Sequence, residues 1–292
     1  MLFSLSLTTI FAKIGINDVK SNFATFFRTG IVIIFSIILC LISGNFNKIP
    51  NLTWQNYLYL ILSGLATGFS WLCYFKALKL GHVNKVAPID KSSFILSSIL
   101  FLIFFFGDTT NNGDPLSIAL LVLSMVLMLV GTLLMITKNK SEENVSSKKW
   151  LIYAILSAVF AALVSLFVKL GLKGIPSDVG TLFRTIIVFI FAGAIVLAKK
   201  EYKGASKINA KSWIFLVLSG VATGGAWLCE YSALAIEGVN PVAVSSLSKL
   251  AILLTMLLSF LILKEKFTWK TLLGLGFLTA GIVVIIISEV LK

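Results

Sequence analysis

The sequence SGLATGFSWLCYFKAL spans residues 63–78, and SGVATGGAWLCEYSAL spans residues 219–234. The two stretches lie 156 residues apart (219 − 63), and other matched residues keep the same separation. Lys13 matches Lys169, and the triplet FRT at residues 27–29 matches FRT at residues 183–185. One offset over most of each half indicates a duplicated unit of about five hydrophobic segments.

The composition predicts that these segments lie in a membrane. Hydrophobic residues make up 58% of the 292-residue chain and charged residues only 13%, whereas a soluble domain carries about 25% charged residues. The hydrophobic residues fall in runs long enough for helices that span a bilayer, which need roughly 20 apolar residues each. Because five is an odd number, the second copy must enter the membrane from the opposite side. The sequence therefore predicts an all-α membrane protein of ten transmembrane helices in two inverted five-helix repeats.

Short links rich in turn-forming residues separate the predicted helices. The longest polar stretch, KNKSEENVSSKK at residues 138–149, joins the copies. It predicts a first repeat over 1–137, a Lys-rich linker over 138–149 and a second repeat over 150–292. The predicted helices cover 1–16, 23–43, 55–80, 85–106, 115–137, 150–173, 178–199, 212–236, 240–264 and 270–290.

The net charge of +13 indicates membrane orientation, because the lysines crowd the links, and a nucleic-acid partner is not expected. Lysines follow the odd-numbered helices, so the positive-inside rule places those links in the cytoplasm and both termini outside it. The expected location is the cell membrane, crossed many times, with the lipid bilayer as a partner. The chain holds both copies, which is sufficient for a monomer, and a homodimer stays open.

Charged residues inside membrane helices are costly and usually face the bundle interior. Arg28 and Arg184 are repeat equivalents, and we expect structural clamps or charges that line a cavity. Lys13 and Lys169 are also equivalents near helix ends, where they either snorkel to the interface or point inward. The depths of Lys169, Arg184 and Glu230 predict one layer of charges.

Glu230 breaks the repeat, because its partner position is Tyr74. Beside Trp227 and Tyr231, this carboxylate either binds a cationic group or a proton, or is neutralised by Lys169 or Arg184. Trp71 and Trp227 are equivalents deep in their helices, where either an aromatic-lined cavity or tight packing accounts for them.

The repeat also breaks at Asp90 and Lys91, which match Ser246 and Leu247, and at Lys249, which matches Ser93. These three charged residues are further candidates for substrate recognition. Helix geometry prevents the adjacent Asp90 and Lys91 from both facing one cavity squarely.

The sequence holds no pattern typical of a catalytic centre, a metal site or a nucleotide-phosphate loop. We therefore expect neither an enzyme nor a cofactor.

The chain resembles the drug/metabolite transporter superfamily, specifically its EamA-type members with two EamA repeats. The resemblance rests on ATG-x2-WLC-x3-AL in both copies, the two FRT triplets, VNKVAPIDK at residues 83–91 and LKEKFTWKTLLGLGFLTAGIVVI at residues 263–285. It implies a bundle around a central cavity, alternating access, and peripheral fifth and tenth helices. Two features depart from the pattern: copy one lacks the Lys-Glu-Lys link, and family members usually have cytoplasmic termini.

Three functions stay open on the sequence alone. The leading hypothesis is secondary-active transport, as a probable exporter, of a small polar metabolite such as an amino acid or related amine. Protons are the candidate coupling ion, carried by Glu230 or Asp90. The alternatives are efflux of multiple drugs or quaternary cations through an aromatic box, and a role as a subunit of a lipid-linked flippase.

Overall fold

The computed structural model describes residues 1–15, 19–80, 89, 93–135, 149–263 and 268–291. Regular structure in these ranges is helical throughout, without a strand. Two 3₁₀ helices, Asn45–Asn51 and Glu201–Lys207, occupy links. The α-helices are α1 (Leu2–Gly15), α2 (Ser21–Ile42), α3 (Trp54–Leu80), α4 (Ser93–Phe104), α5 (Phe106–Thr110), α6 (Pro115–Met135), α7 (Lys149–Gly171), α8 (Ser177–Ala198), α9 (Ala210–Ala235), α10 (Pro241–Lys249), α11 (Ala251–Leu263) and α12 (Trp269–Val290).

The described helices suit a membrane. Eight of the described spans are long and apolar enough to cross a bilayer, and α1 and α4 are shorter apolar helices. Large apolar side chains also cover outward-facing helix surfaces, including Ile42 (78% exposed) and Val290 (80% exposed). Water would make such faces costly, so the chain is a multi-pass membrane protein.

The predicted helix boundaries are confirmed in most places and wrong in two. The predicted link at Gly107 and Asp108 is part of the short helix α5. The predicted helix 240–264 is interrupted at Leu250, whose N–H bonds the Leu247 carbonyl (2.9 Å) in a tighter turn. Most of the predicted linker 138–149, and the start of the predicted helix 85–106, lie outside the described residues.

The chain forms two compact units, and each unit takes segments from both halves of the sequence. Unit 1 comprises Met1–Gly68, Phe167–Glu237 and Ala251–Glu265, and unit 2 comprises Phe69–Leu166, Gly238–Leu250 and Lys266–Lys292.

In unit 1, α2 and α8 pack antiparallel. The Phe26 and Phe189 rings stack with centroids 4.4 Å apart. A side chain at Gly30 would meet Phe189, and one at Gly193 would meet Phe26, so positions rise on one helix as they fall on the other. Equivalent helices of the two copies are therefore in direct contact within the unit.

Two polar contacts hold the ends of this helix pair together. Asn22 donates to Glu201 (2.7 Å), and Asn45 donates to Asp178 (2.9 Å). Position 22 is equivalent to position 178, and position 45 to position 201, at the offset of 156. The contact between Asn22 and Glu201 therefore recurs between the equivalent residues Asp178 and Asn45, and the amide and the carboxylate change places.

Glycines let the third helix of each copy lie against the second helix of the other copy. A methyl group at Gly64 of α3 would lie 2.7 Å from Ile187 of α8. A methyl group at Gly220 of α9 would lie 2.7 Å from Ile31 of α2. Both contacts are too close for a side chain, so these glycines set the helix spacing, as small residues do in membrane proteins.

In unit 2, α6 and α12 approach each other backbone to backbone. Gly131 of α6 faces Gly274 of α12, and Gly281 of α12 faces Ser124 of α6, so the helices run antiparallel. Any side chain at these glycines would collide with main-chain atoms, so the glycines set the spacing of the two helices.

Also in unit 2, Asn240 determines where α10 begins. Its side-chain oxygen accepts from the Val242 N–H (2.9 Å), while its amide donates to Glu289 (2.6 Å) and to the Thr109 carbonyl (3.2 Å). One buried side chain therefore caps α10 and ties it to α5 and α12.

Candidate functional site

Several polar and aromatic side chains of unit 1 lie along α9. Ser219, Thr223, Trp227 and Tyr231 follow one another at intervals of four residues, so they lie on neighbouring turns of one helix face. Arg28 of α2 reaches this face at Thr223, and Arg184 of α8 reaches it at Trp227 and Tyr231. The α9 face and these two arginines form the candidate site.

Arg184 is buried (3% exposed) and engaged on two sides. Its Nε donates to Ser63 Oγ (2.8 Å) and its Nη2 donates to Thr67 Oγ1 (2.9 Å), both on α3. Its guanidinium carbon lies 4.8 Å from the Trp227 ring centroid and 5.5 Å from that of Tyr231. Arg184 therefore bridges α3 and α9, through hydroxyl groups of α3 and aromatic rings of α9.

Arg28 makes the equivalent contact with fewer partners. Its Nη2 donates to Thr223 Oγ1 (2.9 Å), and Thr223 is the repeat equivalent of Thr67. Among the described residues, the buried Arg28 Nε and the buried Arg184 Nη1 have no hydrogen-bond partner. Each arginine therefore retains a donor that a bound solute could use.

Lys169 and Glu230 lie at the end of α9 near Arg184. The Lys169 ammonium is buried and donates to the carbonyls of Leu234 (2.8 Å) and Ile236 (3.2 Å). It caps the C-terminal end of α9 and complements the helix dipole, so the alternative that Lys169 snorkels to the interface is wrong. Glu230 is partly buried on the same turns, and Tyr231 lies within electrostatic reach of Glu230 and Arg184.

The other candidates from the sequence belong to unit 2 or lie outside the described residues. Trp71 and Tyr74 belong to unit 2, where Trp71 is partly buried and Tyr74 packs against Ala77 and Ala154. Lys249 is also in unit 2, with its ammonium 5.8 Å from the Phe94 ring centroid. Asp90, Lys91 and the side chain of Lys13 lie outside the described residues.

Sequence reasoning missed the hydroxyl groups of the site. Ser63 and Thr67 accept hydrogen bonds from Arg184, and Thr223 accepts one from Arg28. Small hydroxyl residues are common in membrane helices, so the sequence alone does not show which arginine each of them binds. The offset of 156 carried the one available signal, because it pairs Thr67 with Thr223 and Arg28 with Arg184.

The arrangement suits hydrogen bonding and charge recognition. Guanidinium donors, hydroxyl groups, a carboxylate and two stacked aromatic rings (Trp227 and Tyr231, centroids 6.4 Å apart) converge on α9. Within the searched described residues, no three His, Cys, Asp or Glu side chains group as a metal site would require.

The described part of the chain is a helical multi-pass membrane protein with charged side chains between its helices. The family model of EamA-like transporters matches residues 1–130 and 148–287. The chain belongs to the EamA-like transporter family and is a membrane transporter.

Relatives of this chain are also named as transporters. An "uncharacterized transporter in cobO 3′region" of Sinorhizobium sp. is 40% identical over 135 residues, which are 46% of this chain and 94% of the relative. The glucose uptake protein GlcU of Staphylococcus xylosus is 28% identical over 87% of this chain and 84% of its own length. A putative sugar uptake protein of Listeria monocytogenes is 26% identical over 82% of this chain and 80% of its own length.

The fold is similar to that of a solved crystal structure. The two chains superpose with a TM-score of 0.76 at 16% sequence identity, over 97% of this chain and 94% of the other. At this identity the likeness concerns the fold alone.

Proposed function

We propose that this protein is a secondary-active transporter of a small polar metabolite, and that amino acids are the substrate class the site supports best. The observation that carries this proposal is the pair of guanidinium groups, each with a buried N–H that lacks a partner among the described residues. A substrate carboxylate would complete the bonding of one of them, since charge-assisted hydrogen bonds to carboxylates are strong.

Glu230 supplies the opposite charge for a substrate amino group. It follows Thr223 by seven residues, which is about two helical turns, so both side chains lie on nearly the same face of α9 about 10.5 Å apart along the axis. The long side chains of Arg28 and Glu230 can span that distance together with a small zwitterion.

A monosaccharide is the second candidate, favoured by the names of two relatives that align over most of this chain. Hydroxyl groups and aromatic rings at the site suit a sugar as well. Efflux of quaternary cations has less support, because Arg184 of the protein already lies over the Trp227 and Tyr231 rings. No observation on the described residues specifically supports the flippase alternative.

The test is uptake into liposomes that contain the purified protein, with radiolabelled amino acids and glucose supplied separately. We expect accumulation of at least one amino acid, and a strong reduction in Glu230→Gln with the protein still folded. Accumulation of glucose alone would support the second candidate and refute the first. Running the assay in both directions tests the export expected from the sequence against uptake.

The proposal includes coupling of transport to protons, with Glu230 or Asp90 as the residue that carries the proton. An imposed pH gradient should drive accumulation in the wild type, because a carboxylate that takes up a proton on one side of the membrane and releases it on the other couples proton movement to solute movement. If Glu230→Gln and Asp90→Asn keep the response to the gradient, protons are not coupled through these residues.

We also propose that the protein is an inverted repeat of ten helices in two five-helix copies. It is supported by the antiparallel packing of α2 on its equivalent α8, and by contacts that recur with the copies exchanged. We further propose that the two repeats are 1–137 and 150–292, in the cell membrane with both termini outside the cytoplasm. Reporter fusions that place the C-terminus inside would contradict this orientation.

A further inference from the structure

The outward face of α12 carries an apolar groove in unit 2. The groove has a volume of about 460 Å³, and Leu127 of α6 lines it together with residues of α12. The lining residues of α12 recur at intervals of three, one and three, so they form one continuous helix face. All of them are exposed: Trp269, Leu272, Leu273, Gly276, Phe277 and Ala280.

Two small residues give this face its hollow shape. Gly276 and Ala280 follow each other along the face, and the neighbouring Leu273 and Phe277 are large. Beyond Ala280 the exposed residues on the same face are large again, with Val283 and Ile287 at the next two turns. The groove therefore runs from the beginning of α12 to Ala280.

Positive charge lies at the end of the groove where α12 begins. Lys270 is exposed and precedes Leu273 by three residues and Phe277 by seven, so it lies on the same helix face. The link KEKFTWK at residues 264–270 carries three lysines and one glutamate. Trp269 is 72% exposed and adds an indole N–H donor. One end of the groove thus offers positive charge and a donor, and the rest is apolar.

The length of the groove matches one lipid chain. Ten residues separate Lys270 from Ala280, which corresponds to about 15 Å along the helix. The hydrocarbon core of a bilayer is about 30 Å thick, so the chains of one leaflet span about 15 Å. A transmembrane helix of a second copy would cross the whole core and would meet the large Val283 and Ile287. The length therefore favours a lipid chain over a helix as the occupant.

We propose that this groove binds an anionic phospholipid, with one acyl chain along Gly276 and Ala280 and the phosphate at Lys270 and Trp269. Lipid tails are as apolar as leucine side chains, so the selectivity for this lipid comes from the charge of its head group. Lysines next to a transmembrane helix attract anionic lipids. The inference goes beyond the proposed transport and does not depend on which solute is transported.

The test compares phospholipids that have the same acyl chains and differ in head-group charge. Purified protein in detergent is incubated with phosphatidylglycerol or with phosphatidylcholine, and the lipid that stays bound is counted by native mass spectrometry. We expect the wild type to retain at least about 5-fold more phosphatidylglycerol. Glycerol phosphate, which has the charge without the chains, should not displace it at equal concentration.

Two variants separate the effect of charge from that of shape. Lys270→Gln should remove the preference for phosphatidylglycerol, and Gly276→Leu should lower its retention about 5-fold, because the new side chain occupies the groove. The matched controls are Lys211→Gln, at the exposed second position of α9, and Val283→Phe, on the exposed face of α12 beyond the groove. Both controls should retain phosphatidylglycerol as the wild type does, and thermal unfolding without lipid should stay near wild type in all four variants.

Three results would overturn the proposal. The first is equal retention of the two lipids by the wild type. The second is wild-type retention of phosphatidylglycerol in both Lys270→Gln and Gly276→Leu. The third is a dimer in the native mass spectrum that Gly276→Leu dissociates, because it would assign this face of α12 to a second copy of the chain.

Discussion

Replacing Gly274 by alanine should weaken the α6–α12 pair measurably, because its missing side chain points at backbone. The added methyl group would lie 2.5 Å from the Gly131 carbonyl oxygen and 2.8 Å from the Met135 N atom, both main-chain atoms of α6. Real Cβ contacts essentially never fall under 3.0 Å, so the helices must separate locally by at least about 0.5 Å (3.0 − 2.5).

The magnitude follows from that separation. A gap of 0.5 Å forfeits about a quarter of the dispersion energy across the contact, and overpacked cores typically lose about 1–3 kcal/mol. Alanine recovers up to about 1 kcal/mol of helix propensity relative to glycine. We therefore expect Gly274→Ala to lower the free energy of unfolding by about 1–2 kcal/mol.

Gly276 provides the matched control on the same helix, because a methyl group there meets no described residue within 4 Å. Gly276→Ala should leave the free energy of unfolding unchanged or raise it by up to about 1 kcal/mol. Both variants are measured by denaturant-induced unfolding of the purified protein in detergent micelles. Equal stability of the two variants would refute the argument that backbone contact at Gly274 sets the helix spacing.

Two further predictions concern Arg184, which is buried in unit 1, and Asp114, which lies in the link before α6. Arg184→Lys keeps the charge but loses the bonds to Ser63 and Thr67, so it should lower the unfolding free energy by about 1–3 kcal/mol. Arg28→Lys should lower it by less. Equal losses of unfolding free energy in detergent would contradict the role of Arg184 as a clamp. Asp114 lies in the link before α6 and accepts from the Ser117 N–H (2.8 Å), which lowers the pKa of its carboxyl from the ordinary 3.8. The carboxylate therefore contributes stability that is present above pH 3.8 and is lost as the pH falls through the lowered pKa. Asp114→Asn should make the unfolding free energy depend less steeply on pH in the acid range. An unchanged pH dependence would contradict the stabilising role of the Asp114 carboxylate.

Periodicity and length predicted the helices well. The predicted segments 23–43 and 178–199 correspond to Ser21–Ile42 and Ser177–Ala198. The interruption at Leu250 was missed because neither glycine nor proline marks it. Helix formation at Gly107 and Asp108 was missed because both residues are typical of turns.

The candidate site was predicted in part. The sequence singled out Arg28, Arg184, Trp227 and Tyr231, and these residues do meet on one face of α9 or bond to it. It left two alternatives for Lys169, and burial beneath the end of α9 decided between them. A hydrogen bond between helices depends on which helices are neighbours, and no local pattern carries that information.

The backbone of the two links after α2 and α8 shows how far the repeat extends. Gly44 and its equivalent Lys200 both adopt left-handed conformations (φ 66° and 52°), immediately before equivalent 3₁₀ helices. The copies therefore keep one link geometry although only one of them retains the residue best suited to it.

The sequence by itself determined the membrane class, the repeat and the family, because hydrophobic run length, a constant offset and shared sequence blocks are all properties of the linear chain. Only the tertiary structure decided that Arg184 donates to Ser63 and Thr67, while the equivalent Arg28 donates to Thr223 and has a buried Nε without a partner among the described residues. The offset equates Ser63 with Ser219 and Thr67 with Thr223, but it does not say which arginine each of them contacts. The physical reason is that a hydrogen bond between helices depends on which helices are neighbours, and the linear sequence does not carry that information.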